Sequence, residues 1–231
     1  GLEAPGRDGG RSAPRVSTRR VEGAPKRNGP GHFWTGAVGE RLSCSEGYWQ
    51  VNISQVLGVP AEECDGVKLH GFCTRKYLTD AIMPKIEAGL AKAGRTRAQY
   101  EISGGGFLAT GATDEDVAKR FEWVRQRVAF YGSTPAYYPV FEAHGLQDLG
   151  LKLNAMVRQG KWNELAAEVP DDVAHLFAAV GRHDQIAKAI ADRYGGLVDA
   201  ITLGREGTGK VPNDLAQDIR RIPHQYGGLP H

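Results

Sequence analysis

The residues best placed to do chemistry are His70, Gly71 and Phe72, with Thr74 just beyond them. Val67 and Leu69 alternate with Lys68 and His70 at the period of a strand. Gly71 breaks the alternation, and the Thr74 hydroxyl is suited to cap a helix. A strand feeding a helix is the repeating unit of α/β folds, whose sites lie where strands end. His70 is therefore the first catalytic candidate. A second candidate is Gly104-Gly105-Gly106, inside the strand-like stretch from Tyr100 to Thr110. Three glycines in a strand mark a bulge or a close backbone approach, by a ligand or by tight packing, and both readings stand.

Other motifs carry less. Gly204 to Val211 (GREGTGKV) nearly matches a phosphate loop, but Val211 lacks the hydroxyl that would hold magnesium. Cys64, Cys73 and His70 could in principle ligate a metal. Three cysteines without a CxxC spacing read instead as buried, reduced thiols of a cytoplasmic protein, with no metal. Ser133 and Cys73 sit in no nucleophile elbow. The pairs Glu62-Glu63 and Asp171-Asp172 fall at loop or helix starts, where capping accounts for them.

The elements that must position these residues follow from periodicity. A strand is expected over 48–56, at most one helical turn over 61–64, and a strand over 66–71. From Arg75 to Ala93 the apolar residues Leu78, Ile82, Ile86 and Leu90 recur at helical spacing, and Gly94 stops the helix. One strand is expected over 100–110. Thr113 and its acidic neighbours should open a helix carrying Val117, Phe121, Val124, Val128 and Tyr131 on one face. Shorter helices are expected over 136–145, over 148–169 in two pieces divided at Gly160, over 171–180 and over 184–194. A strand over 198–203 and a helix from Asn213 to Ile222 complete the order. Strands alternating with helices imply parallel pairing.

Residues 1–31 hold seven Lys or Arg against three Asp or Glu, rich in Gly and Pro and without periodicity, which predicts a disordered basic tail. The division expected is an irregular segment over 1–45 and a folded part over 46–231. The tail lacks the interleaved aromatics of a nucleic-acid binder, so nucleic acid ranks only third among the functions considered. No apolar run approaches the ~18 residues of a membrane span, so no membrane partner is expected. Position 1 is not Met, and Gly/Pro/Arg-rich sequence is also what a shifted frame of GC-rich DNA encodes.

Three stretches carry a resemblance: Asp65 to Leu78, Met83 to Arg95, and Phe130-Tyr-Gly-Ser-Thr-Pro-Ala-Tyr137 with Val140 to Gly145. Over roughly residues 61–203 the chain resembles the luciferase-like monooxygenase family, in particular the branch using the deazaflavin coenzyme F420. The resemblance implies an α/β fold: part of a (β/α)8 TIM barrel, its C-terminal strand–helix units, with Asp65–Leu78 as the sixth unit. It also implies an oxidoreductase that moves hydride between the deazaflavin and a small organic substrate, with FMN as the alternative flavin. His70, Gly71, Phe72 and Thr74 would border the coenzyme at one strand end, and Ser103, Gly104, Gly105 and Gly106 at the next. A half barrel would leave two open edges, which predicts association into a homo-oligomer or poor solubility. The rival reading is a non-catalytic, truncated or frame-shifted fragment acting as an interaction module.

Overall fold

The computed structural model describes residues 34–35, 41–45, 48–51, 61, 64–201 and 212–227. Backbone contacts divide the chain into units 1–32 and 33–231, and every described residue belongs to the second.

Its main sheet has five strands in chain order: β1 (Trp34–Thr35), β2 (Arg41–Ser45), β3 (Tyr48–Val51), β4 (Gly66–Leu69) and β5 (Glu101–Gly104). β3, β4 and β5 are parallel, with Val67 opposite Trp49 on one side and Ile102 on the other. Residue 200 continues the parallel run through a bridge from Ser103 to Ala200. Parallel strands joined through helices form one wall of a (β/α) barrel, the fold class expected. β2 pairs antiparallel with β1 on one side and with β3 on the other. Of the strand expected over 48–56, only Tyr48–Val51 is described. Residues 52–60 and the glycine-rich stretch 202–211, with its phosphate-loop near-match, lie outside the described residues.

The helix after β4 follows from its sequence. Thr74 accepts from the Tyr77 N–H at its start. Short helix α1 (Arg75–Tyr77) widens into a π-helical turn (Leu78–Ile82) and continues as α2 (Met83–Lys92). The widening has a cause in Pro84: with no N–H to give to Asp80, and a ring that crowds that carbonyl, it disfavours a regular turn. The Met83 N–H reaches five residues back to the Leu78 carbonyl instead. α2 turns Met83, Ile86, Gly89 and Leu90 inward.

Two expectations need correction. The strand over 100–110 is two strands in different sheets: β5 ends at Gly104, and β6 (Phe107–Gly111) pairs in parallel with β7 (Ala178–Arg182). The break falls at Gly104 and Gly105, whose φ values of +83° and +95° suit glycine alone. The second is the helix expected over 171–180. It stops at Phe177, and its last residues are strand, because Ala178-Ala179-Val180 is buried against β6 rather than on a helix face.

Between β6 and β7 the chain forms a helical lobe. α3 (Asp114–Gly132) opens on the capping box of Thr113 and Asp116. A 3-10 turn (Pro135–Tyr137), α4 (Tyr138–Glu142), α5 (Gln147–Arg158), a 3-10 segment (Trp162–Glu168) and α6 (Asp171–Phe177) follow. α7 (Ile186–Tyr194) leads back to the main sheet, and α8 (Asn213–Arg220) packs on α7, with Pro212 just before its first turn.

One apolar core joins sheet, helix and lobe, with Val67 and Ile102 from the strands, Ile86 from α2, and Phe141, Leu153 and Phe177 from the lobe. At the start of the last barrel position a buried carboxylate ties the wall together. Asp199 Oδ2 accepts from the Ile102 N–H at 2.8 Å and from Arg97 Nη2 at 2.6 Å. Its Oδ1 accepts from the Gln225 and Tyr226 N–H groups. This network lies at the N-terminal ends of the strands, the face that stabilises a barrel rather than the one that works.

Candidate functional site

At the opposite end of β4 the chain places an imidazole between two phenols. His70 Nδ1 accepts from the Phe72 N–H at 3.0 Å. Its ring meets Tyr131 edge-on, with centroids 4.5 Å apart, and lies tilted against Tyr137 at 5.1 Å. Burial among these rings lowers the His70 pKa to about 4. The imidazole is therefore neutral at neutral pH. Because Nδ1 accepts, the proton sits on Nε2, which makes His70 a fixed N–H donor.

Phe72 is the hub beneath. It stacks on Phe177 at 4.5 Å and meets Tyr137 and Phe141 edge-on. With 2 % of its surface exposed, it supports the wall from behind. Thr74 is equally buried. Its Oγ1 accepts from the Tyr77 N–H and shares a 2.7 Å hydrogen bond with His144 Nε2. His144 in turn is pushed toward its neutral form, first by burial and then by Lys76 and Arg193 nearby. Cys73 is buried, and its thiol is pushed up to about 12, so it stays protonated and inert as a nucleophile. Among the described residues no three His, Cys, Asp or Glu side chains gather as a metal site.

The glycines make the turns fit. A β-carbon on Gly71 would lie 2.6 Å from the Phe107 ring, and one on Gly104 2.6 Å from the Leu69 carbonyl oxygen. At Gly106 it would meet the Tyr194 hydroxyl, which donates to the Phe107 carbonyl at 3.2 Å. These spaces are filled by the chain itself. Gly105 is looser, with Leu69 Cδ1 at 3.3 Å and Val198 at 3.8 Å from the same position. Ser103 donates to the Val67 carbonyl at 3.4 Å, within the barrel wall. Thus His70, Gly71 and Phe72 come together at one strand end, Ser103 to Gly106 at the neighbouring one, and Phe107 lies across Gly71.

Sequence reasoning treated Tyr131 and Tyr137 as packing residues and passed over Arg120, Trp123 and Arg127. The three stand on the face of α3 that carries Tyr131. The signal was present as spacing: Trp123, Arg127 and Tyr131 recur every fourth residue and so share one helix face.

A parallel barrel wall with a donor imidazole and aromatic rings at its strand ends is matched by the family model for luciferase-like monooxygenases over residues 53–200. The chain belongs to the luciferase-like monooxygenase family. An uncharacterized protein of Mycobacterium tuberculosis is 37% identical over 161 residues, covering 69% of this chain and 47% of that protein. The 5,10-methylenetetrahydromethanopterin reductase of Archaeoglobus fulgidus is 29% identical over 157 residues, covering 65% of this chain and 45% of the reductase. Among solved structures, the coenzyme F420 dependent tetrahydromethanopterin reductase of Methanopyrus kandleri superposes with a TM-score of 0.57 at 19% identity. It covers 76% of this chain and 49% of that one, a likeness of fold. The chain spans about half the length of the curated relatives it matches.

Within this luciferase-like fold, the ends of β4 and β5 are where ligands of a barrel meet the protein. The arrangement can present a flat aromatic face, one N–H donor at His70 Nε2, and a backbone turn at Gly71. It fits a planar ring with a carbonyl edge better than a naked phosphate, because the glycine positions at 104 and 106 are occupied. Among the described residues no helix is long and apolar enough to cross a membrane.

Proposed function

We propose that the chain is the part of a coenzyme F420-dependent oxidoreductase that holds the second half of its barrel, acting on a small organic substrate. When bound, the coenzyme supplies hydride transfer at its deazaflavin ring. The observation that carries the reading is His70, a buried neutral imidazole at the end of β4 whose Nδ1 is committed to the Phe72 N–H, leaving the proton on Nε2 as a donor. A neutral donor suits a deazaflavin carbonyl, which accepts a hydrogen bond without taking a proton. Tyr131 and Tyr137 hold the imidazole plane and exclude water from that side. Gly71, whose side-chain space is taken by the Phe107 ring, fixes the turn that follows His70. Support also comes from the family membership and from the 5,10-methylenetetrahydromethanopterin reductase among its relatives.

The test is a fluorescence titration of the folded protein with oxidised and reduced coenzyme F420, and with FMN in parallel. Saturable binding of the deazaflavin at micromolar concentration, weakened severalfold in His70→Asn, is the expected result. A folded sample that binds neither cofactor at tens of micromolar overturns the reading and leaves the chain a non-catalytic module.

A further inference from the structure

We propose that Arg120, Trp123 and Arg127 on α3 form an anion-binding subsite beside the strand-end site, taking a phosphate or carboxylate group of the bound ligand. It rests on the function proposed above only for which ligand carries the anion.

The observations are positional and electrostatic. α3 packs against β6 and β7. Its Trp123 meets Phe107 edge-on at 5.8 Å, and Phe107 is the ring that lies over Gly71. Two turns further along the same face, Tyr131 meets His70. Arg127 stands one turn from each of these residues on that face, with its guanidinium against the Trp123 indole. Arg120 lies over the Trp123 ring with its guanidinium carbon 3.9 Å from the centroid, and Arg127 approaches the same indole at 5.0 Å. Two cations thus share one aromatic ring, which orients them at little entropic cost.

Elsewhere on α3 two cations are paired. Lys119 pairs with Glu115 at 2.7 Å, and Arg125 is held between Glu122 and Asp171. Arg127 makes no ion pair among the described residues, although its side chain is half-buried. A partly desolvated guanidinium without a carboxylate is costly unless an anion completes it. Its planar fork suits a phosphate or carboxylate, and the indole beside it suits a flat neighbour. The position suits a ligand whose planar part lies at His70 and whose acidic part reaches along α3.

The source of the anion is either the coenzyme, whose tail carries a phosphodiester and glutamates, or the substrate. Calorimetric titration at fixed ionic strength with inorganic pyrophosphate, coenzyme F420 and its phosphate-free deazaflavin nucleoside separates them, using the wild type, Arg127→Gln and a control, Lys119→Gln. The subsite predicts pyrophosphate binding that falls roughly tenfold in Arg127→Gln, the loss of one charge-assisted hydrogen bond, and is unchanged in Lys119→Gln. If coenzyme affinity falls with it while nucleoside affinity holds, the anion is the coenzyme's tail. If only pyrophosphate binding responds, the anion is the substrate's. Should neither deazaflavin bind the wild type, the proposed function fails while the pyrophosphate result still decides the subsite. Pyrophosphate and coenzyme affinities that are equal in wild type and Arg127→Gln, or that fall as much in Lys119→Gln, overturn the proposal.

Discussion

Replacing His70 with Asn should flatten the acid limb of the protein's stability. The Asn side chain can accept from the N–H two residues on, as His70 Nδ1 does from Phe72, so the turn is kept while the titrating group is lost. The His70 pKa falls from 6.5 in the unfolded chain to about 4 in the fold. Between those values the unfolded state binds more protons, so stability is full above pH 6.5 and drains away as pH falls toward 4. A shift of that size corresponds to about 3 kcal/mol when fully developed, of which about 2 kcal/mol has gone by pH 5. In urea unfolding, with a slope of about 2 kcal/mol per molar, that is roughly a 1 M fall in midpoint between pH 7.5 and pH 5. His144 is lowered in the same direction and remains in both proteins, so the difference between them isolates His70. If wild type and His70→Asn lose equal stability over this range, the imidazole is not desolvated and the neutral-donor reading falls with it.

Asp199→Asn should cost about 3 kcal/mol in urea or thermal unfolding, because an amide NH2 would face either the Ile102 N–H and Arg97 or the Gln225 and Tyr226 N–H groups. Retention of wild-type stability would show that the clamp is dispensable. Gly106→Ala should destabilise by about 1–3 kcal/mol through its collision with the Tyr194 hydroxyl. Adding Tyr194→Phe should recover much of that loss, and a strictly additive double variant would contradict the packing account. The Cys73 thiol should resist alkylation at pH 8 in the native protein and react on unfolding, as followed by peptide mass spectrometry. Rapid native labelling of that peptide would refute its burial.

Local signals in the chain were read well. The alternation at Val67 and Leu69, the Thr74 cap and the Gly94 stop placed β4 and the helix after it within a residue or two. Thr113 likewise opened α3 where its capping box does. What was lost depends on distant partners. Leu176 to Val180 is apolar throughout, and nothing nearby tells a buried helix end from a buried strand; β6, some seventy positions away, decides it. The split between β5 and β6 was signalled by the glycines, but which sheet each half joins is set by Ala200 and Ala178. The π turn inside the helix expected over 75–93 was not anticipated, although Pro84 stands in the sequence. At the site, His70 stood out because a strand end is a local feature. Its neighbours Tyr131 and Tyr137 looked like ordinary packing residues, since only the folded lobe brings them over the imidazole.

The excursion from Phe107 to Arg182 leaves the barrel wall at the glycines and is closed on itself by the β6–β7 pair. Ile102 and Asp199, 97 positions apart, are nonetheless hydrogen-bonded neighbours in the wall. The wall's register is therefore held by its own ladder and by the Asp199 clamp, not by what the excursion contains. The lobe supplies Tyr131 and Tyr137, which pack on His70, and, on the proposal above, the anion-binding Trp123 and Arg127. Architecture and selectivity are thus carried by separate stretches of chain. Insertions, deletions or exchanges inside the lobe can change what the mouth accepts while the strands beneath it keep their alignment, so selection for a new ligand need not rework the barrel.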